Sequence, residues 1–416
     1  MPAMDVEADD QTLRNQQQQE KEEVEIEGED EDLDEDDDDD EDDEEGEPVT
    51  LGFVEEPKTP HSLLRHLFPS KAGGTPAWLD PIGLPDEKSR CCGFCENPLQ
   101  FLLQVYAPIA EKESAFHRTV FVFMCTSMAC LLRDQHEQWR RGSERPLRSV
   151  KVFRCQLPRL NRFYPSEAPE ENGIGRSLVS GAALCSWCGT WKGEKVCSSC
   201  KRARYCSAKH QVMHWRSGHK ADCQQAIIFS GSSDDVYNNG RQALERTNTV
   251  ACKSLWREYE IICEDECPDM VDDDGSSTSL VCKDANVNEV YQSLSKSFEV
   301  DDDKKRWASF QERVIRAPEQ VLRYCRDTKA KPLWPLSAGQ PAKANIPKCS
   351  YCNGPLSYEF QIMPQLLYFF NVKNEADSLD WATIVVYSCS ASCEDSSSVS
   401  YKEEFPWIQL YSSAMP

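Results

Sequence analysis

Eight thiol and imidazole side chains packed into residues 185–223 limit what the middle of this chain can be. Cys185, Cys188, Cys197, Cys200, Cys206, His210, His219 and Cys223 follow the order C-x2-C, eight residues, C-x2-C, five residues, C-x3-H, eight residues, H-x3-C. Eight soft or borderline donors in four pairs suit two tetrahedral Zn²⁺ ions. A segment this short cannot build a useful hydrophobic core, and structural zinc supplies roughly 10–16 kcal/mol per site toward folding instead. Scattered structural cysteines would not be expected to fall into four ordered pairs. With every ligand position filled by protein, no coordination site is left for an activated water, so these ions are expected to be structural rather than catalytic.

The 21 cysteines bear on compartment as well. The first residues (MPAMDVEADD) show neither a basic n-region nor an apolar h-region. Apolar runs such as Thr119–Cys125 are far too short to span a bilayer. A cytoplasmic protein with no membrane role is expected, in reducing surroundings where paired cysteines mean metal more often than disulfide. Nuclear access stays open, because Lys304-Lys305-Arg306 is too short a basic cluster to decide it.

Net charge is concentrated at one end. Residues Glu20–Glu47 hold 22 acidic side chains and one lysine, a net of −21, which leaves −4 of the formal −25 for the other 388 positions. Residues 1–49 have almost no aromatic or branched side chains, so they are expected to be a disordered acidic arm on a near-neutral body. Such an arm disfavours RNA. Lys192, Lys195, Lys201, Arg202, Arg204, Lys209, Arg216 and Lys220 nevertheless make the cysteine-rich segment basic, so RNA is not expected as a partner but is not excluded.

The remainder reads as β-rich α+β. Ordered sequence begins at Leu51-Gly52-Phe53, and the Pro- and Gly-rich stretch 68–79 suits ordered loops around buried aromatics. Strands are expected at Leu99–Tyr106, Thr119–Met124, Arg148–Arg154, Leu356–Met363, Ala382–Tyr387 and Trp407–Tyr411. A helix is expected over Asp303–Arg316, and Pro318 opens a further short helix through Tyr324. Trp256–Cys263 is apolar enough to pack, whereas Asp265–Ser279 has the composition of a mobile insert. Two blocks also repeat without a gap. Cys92-Gly-Phe-Cys95 through Val105 aligns with Cys349-Ser-Tyr-Cys352 through Ile362, and Val120–Cys125 aligns with Ile384–Cys389. This organisation divides the chain into the arm (1–49), an N-terminal β-rich half (50–165), the zinc module (180–224), a polar insert (225–300) and a C-terminal β-rich half (301–416). The two halves are expected to be repeat-related and to pack as one domain.

Each half carries its own cysteine set: Cys92, Cys95, Cys125 and Cys130 in the first, Cys349, Cys352, Cys389 and Cys393 in the second. Each set has the spacing to close one further zinc site. Free thiols packed in a β-core are the alternative, and no βαβ context favours a redox pair. Nucleotide loops, G-x-S-x-G and H-E-x-x-H are missing from the sequence, so no enzyme is expected. His117, before a strand, is the most conspicuous acid–base candidate and is expected to be structural. His214 is not expected to be a ligand, and Trp215 beside it is expected to pack.

The eight-ligand segment, with Tyr205 before Cys206 and the terminal His-x3-Cys, resembles the MYND zinc-finger family. That resemblance implies interleaved sites: Cys185, Cys188, Cys206 and His210 on one ion, and Cys197, Cys200, His219 and Cys223 on the other. His210 stands where many MYND modules have cysteine, and the gap after it is one residue longer. Some MYND proteins carry a methyltransferase domain, but no Gly-rich cofactor segment supports one here. Beyond the finger, Phe68-Pro-Ser-Lys71, Gly73-Gly74-Thr-Pro76-Ala-Trp78-Leu79, Leu102–Pro108, Phe116-His-Arg118, Pro318-Glu-Gln320 and Met363-Pro-Gln-Leu-Leu367 are similar to the programmed cell death protein 2 family. The resemblance runs from about Leu51 to Trp407, and the long acidic arm is not part of it. It implies a dedicated chaperone for a newly made small-subunit ribosomal protein (uS-five type), supporting 40S ribosome biogenesis, with the paired β-rich halves holding the client. The alternative is a transcriptional adaptor whose finger binds proline-containing corepressor peptides and affects cell proliferation.

Overall fold

The computed structural model describes residues 49–59, 61–139, 147–167, 179–230, 251–253, 255–266, 302–375, 377–394 and 399–411. The acidic arm, except Val49, and most of the expected polar insert lie outside the described residues.

Ten antiparallel strands close into a barrel. They are β1 (Thr50–Glu55), β2 (Lys71–Ala72), β3 (Gln100–Tyr106), β4 (His117–Met124) and β5 (Val150–Leu157), then, after the finger strands β6 (Lys195–Val196) and β7 (Arg204–Tyr205), β8 (Tyr259–Asp265), β9 (Leu322–Tyr324), β10 (Leu356–Ile362), β11 (Thr383–Cys389) and β12 (Tyr401–Gln409). The order around the barrel is β1-β8-β2-β3-β4-β5-β12-β11-β10-β9, with β9 returning to β1. Closure leaves no free sheet edge. The described residues belong to a single compact unit.

Alternation along the strands sorts side chains between two faces. On β4, Val120, Val122 and Met124 join the main apolar core with Leu103, Val105, Val152, Phe360, Ile362, Ile384 and Val386. Phe121 and Phe123 point the other way, into a second cluster shared with the finger. All eight β4 residues are therefore buried, since both faces are covered. Gly52 suits its place on β1, because a Cβ there would meet Leu322 Cβ at 2.9 Å and Ile261 Cγ2 at 3.0 Å.

The hairpins β3–β4 and β10–β11 share one register. Phe101 faces Phe123 and Leu103 faces Val122, with the ladder shifted between Phe101 and Leu103. Tyr358 faces Tyr387 and Phe360 faces Val386, with the shift between Tyr358 and Phe360, the aligned position. At this bulge the first hairpin places Leu102 in the core, and the second places Glu359 there. Glu359 and Arg118 are both fully buried, joined by Nη1···Oε1 at 2.5 Å and Nη2···Oε2 at 2.7 Å. Burial pushes the Glu359 carboxyl upward, but the Arg118 charge and its hydrogen bonds more than offset this and hold the group at about 2.

Five places differ from the sequence-based expectation. The short helix expected from Pro318 to Tyr324 is a turn followed by β9. Val321 N–H donates to Gly52 O and Cys325 N–H to Glu359 O, so barrel pairing overrides the local helix start. Within the insert expected over 225–300, the stretch Trp256–Cys263 packs as expected, but as part of a barrel strand, β8, wedged between β1 and β2. The expected last strand, Trp407–Tyr411, only overlaps the end of a longer β12 over Tyr401–Gln409, and the strand expected at Arg148–Arg154 runs instead over Val150–Leu157. Helix α1 (Met128–Gln138) was not expected at all. Its Gln138 bridges Ile408 by accepting its N–H at 2.7 Å and donating to its carbonyl at 2.8 Å. Its buried Asp134 accepts from Arg148 and from the Ser149 hydroxyl. The expected helix at 303–316 is present as Asp302–Arg316, with Phe310 buried. Among the described residues, no helix is long and apolar enough to cross a membrane.

Candidate metal centre

The finger folds between β5 and β8. The hairpin β6–β7 leads into helix α2 (Ala208–His214), whose N-cap Ser207 accepts from His210 N–H, and a one-turn π-helical link continues into α3 (Lys220–Ser230). Each leading C-x2-C pair sits on a tight turn. Gly189 N–H donates to Cys185 O at 2.8 Å and Lys201 N–H to Cys197 O at 3.0 Å. The donor residue of each turn has positive φ, 64° at Gly189 and 57° at Lys201. Such a turn points both thiols of a pair at one spot.

The structure gathers the eight expected ligands into two interleaved sets. Cys185, Cys188, Cys206 and His210 have their donor atoms within 4.8 Å of one another, and so do Cys197, Cys200, His219 and Cys223. Tetrahedral zinc with bonds of about 2.3 Å to sulfur needs sulfur–sulfur edges of about 3.8 Å. The observed separations are 4.0 Å for Cys188–Cys206 and 3.8 Å for Cys197–Cys223. His210 presents Nδ1, 3.7 Å from Cys185 Sγ, and His219 presents Nε2, 3.6 Å from Cys200 Sγ. Sulfur and imidazole donors at these spacings fit zinc and leave no position for a substrate. His214 stands outside both sets, hydrogen-bonded through Nδ1 to Tyr205 and stacked on His219. The eight cysteines of the flanking halves also converge, as Cys92, Cys95, Cys125 and Cys130 and as Cys349, Cys352, Cys389 and Cys393.

The finger is bolted to the barrel. Trp191, fully buried, donates Nε1–H to Leu99 O at 2.7 Å, and Trp78 donates to Thr190 O at 2.8 Å. Trp191 lies 4.5 Å from the Phe123 ring, and Arg90 donates to Cys206 O at 2.6 Å. Trp215, expected to pack, is instead 42% exposed and lines a surface groove with Val212, Arg216 and His219. Its neighbour in sequence is His214, not a ligand histidine, and the apolar positions around it do not mark which would face outward. His117 is buried, stacked on Phe68 at 4.2 Å and hydrogen-bonded to Tyr106, and burial lowers its proton affinity.

Family models for the N-terminal domain of programmed cell death protein 2 match residues 48–171, for its C-terminal counterpart residues 304–410, and for the MYND finger residues 185–223. Programmed cell death protein 2 of Bos taurus is 35% identical over 373 residues, covering 87% of this chain and 96% of the relative. The chain belongs to the programmed cell death protein 2 family. A Homo sapiens programmed cell death protein 2-like protein is 26% identical over 82% of this chain and 89% of its own. Schizosaccharomyces pombe has a relative, 22% identical over 81% of this chain and 91% of its own, that bears the name "Probable 20S rRNA accumulation protein 4". No solved structure matches. For this family member the MYND finger implies zinc binding.

Proposed function

We propose that this chain is a non-catalytic escort for a newly made, basic small-subunit ribosomal protein of the uS-five type, acting in the cytoplasm in support of 40S assembly. One observation carries the reading: resemblance to this family runs through both barrel-forming regions and the finger, and includes a fission-yeast relative named for 20S rRNA accumulation. Electrostatics supports it, since a segment of net −21 attracts a basic client and speeds encounter. We also read the two halves as copies of one duplicated hairpin unit, a reading supported by the shared register and bulge. Two zinc ions in the finger act as staples rather than catalysts.

The test is a tagged pull-down with mass spectrometry over rising salt, on the full chain and on a variant lacking residues 20–47. One ribosomal protein at near-stoichiometric yield, reduced when the acidic segment is removed, is the expected result. Depletion should lower free 40S subunits, and normal subunit ratios would sink the proposal. The exposed Trp215 groove favours a second reading, a finger that docks proline-containing corepressor peptides. Under it, chromatin factors replace the ribosomal protein in the pull-down, and Trp215→Ala in the full chain abolishes their recovery.

A further inference from the structure

Among the described residues, fourteen cysteines lie in converging sets, and six of those belong to the finger. We propose that the two barrel halves each hold a Zn²⁺ ion of their own, one on Cys92, Cys95, Cys125 and Cys130, the other on Cys349, Cys352, Cys389 and Cys393. The chain then carries four ions. This assignment stands apart from the ribosomal-client reading and survives its failure.

The turn geometry carries it furthest. In the finger, each leading cysteine pair sits on a turn closed by the N–H of the fourth residue after the first cysteine, and that residue has positive φ. The barrel pairs repeat this turn. Glu96 N–H donates to Cys92 O at 3.0 Å with φ 56°, and Asn353 N–H donates to Cys349 O at 2.8 Å with φ 58°. In each half the turn leads toward the first hairpin strand, and a third cysteine ends or follows the second. Hairpin register brings them together, since Gln100 pairs with Met124, just before Cys125, and Leu356 pairs with Cys389 itself.

Distances agree. Cys95 and Cys125 lie 3.6 Å apart, Cys349 and Cys393 3.8 Å, and Cys352 and Cys389 3.6 Å. These match the tetrahedral edge of about 3.8 Å and are far from the roughly 2.05 Å of a disulfide. Packing alone does not account for them, because Cys352 is exposed while its three partners are buried. Cys155, buried on β5 and in no such set among the described residues, shows what a packed thiol looks like here.

Charge completes the case at the C-terminal set. Four thiolates on Zn²⁺ leave a net of about −2, which burial penalises unless donors and cations offset it. Gly354 N–H points at Cys352 Sγ at 3.4 Å, and Arg154 Nη2 and Lys402 Nζ lie 3.8 and 3.9 Å from Cys393 Sγ. Arg154 is on β5, so this ion ties the C-terminal half to the N-terminal one. In the N-terminal set, Asn97 Nδ2 donates to Cys95 Sγ at 3.2 Å. Four sulfur donors leave no open position, so both ions are structural.

Native mass spectrometry of the full chain, with elemental analysis, tests this directly. Four zinc per chain is expected, falling to three in Cys95→Ser and to three in Cys352→Ser. Should either variant fail to fold, the count on the unaltered chain decides alone. Two or three zinc per chain, iron in place of zinc, or rapid native alkylation of the barrel thiols would overturn the proposal.

Discussion

The hairpins β3–β4 and β10–β11 share register, bulge and cysteine turn, yet their surroundings differ on both faces. Outside, Phe101, Phe121 and Phe123 are covered by the finger through Trp191, whereas Tyr358, Val385 and Tyr387 are covered by chain carrying Trp334 and Ile346. Inside, the bulge holds Leu102 in one and Glu359 in the other, and Glu359 requires Arg118 from the opposite half. Hairpin geometry thus depends on strand alternation and on the turn before it. What covers the outer face is interchangeable, provided it is apolar and fits.

The largest effect should come from removing one cover. In Cys188→Ser/Cys197→Ser the finger loses a ligand from each set, and with it most of the roughly 10–16 kcal/mol that each structural zinc supplies. Hydrogen exchange should then show Lys195–Val196 and Arg204–Tyr205 unprotected. Amides of Gln100–Tyr106 and His117–Met124 should exchange about tenfold faster than before, while Leu356–Ile362 and Thr383–Cys389 change little. An equal rise in both hairpins would mean that the finger is not specifically the cover of the first.

That asymmetry was only half legible in the sequence. Ligand spacing marked the finger, and runs of aromatic and β-branched residues at Thr119–Met124 and Ala382–Tyr387 marked strands, because these signals are local. Barrel closure is not local. The strand Leu322–Tyr324 is too short to carry a pattern, Lys71–Ala72 is shorter still, and Tyr259–Asp265 pairs with Thr50–Glu55 some two hundred positions away. Helix Met128–Gln138 turns Asp134, Gln135 and Gln138 inward to bond barrel backbone or side chains, so its polar residues read as surface. Glu359 likewise looked like one more strand carboxylate, and its burial depends on an arginine 241 residues away.

The inner face offers a sharper test. Arg118→Met leaves Glu359 buried without its partner, at an expected cost of about 3–5 kcal/mol in urea unfolding. Adding Glu359→Leu gives the second hairpin what the first already has at Leu102, and should recover most of the loss. If the double variant is no more stable than Arg118→Met alone, the two bulges are not equivalent sites, and the pair has a role that an apolar side chain cannot fill.

The smallest expected effect lies in the cysteine turns. Both put an exposed residue in the left-handed region, but the C-terminal turn uses Asn353 and the N-terminal one Glu96. Asparagine adopts that conformation more readily than glutamate, whose Cβ is crowded there without a local hydrogen bond to offset it. Glu96→Asn should therefore stabilise the zinc-loaded chain by about 0.5–1 kcal/mol, and Asn353→Glu should destabilise it by a similar amount. Both are read as shifts in urea midpoint at unchanged slope. Shifts of opposite sign and like size would mean that the two turns obey the same backbone rule. Should Glu96→Asn instead weaken the chain, the glutamate side chain contributes something that the geometry of the turn does not explain, and the equivalence of the two knuckles would have to be given up.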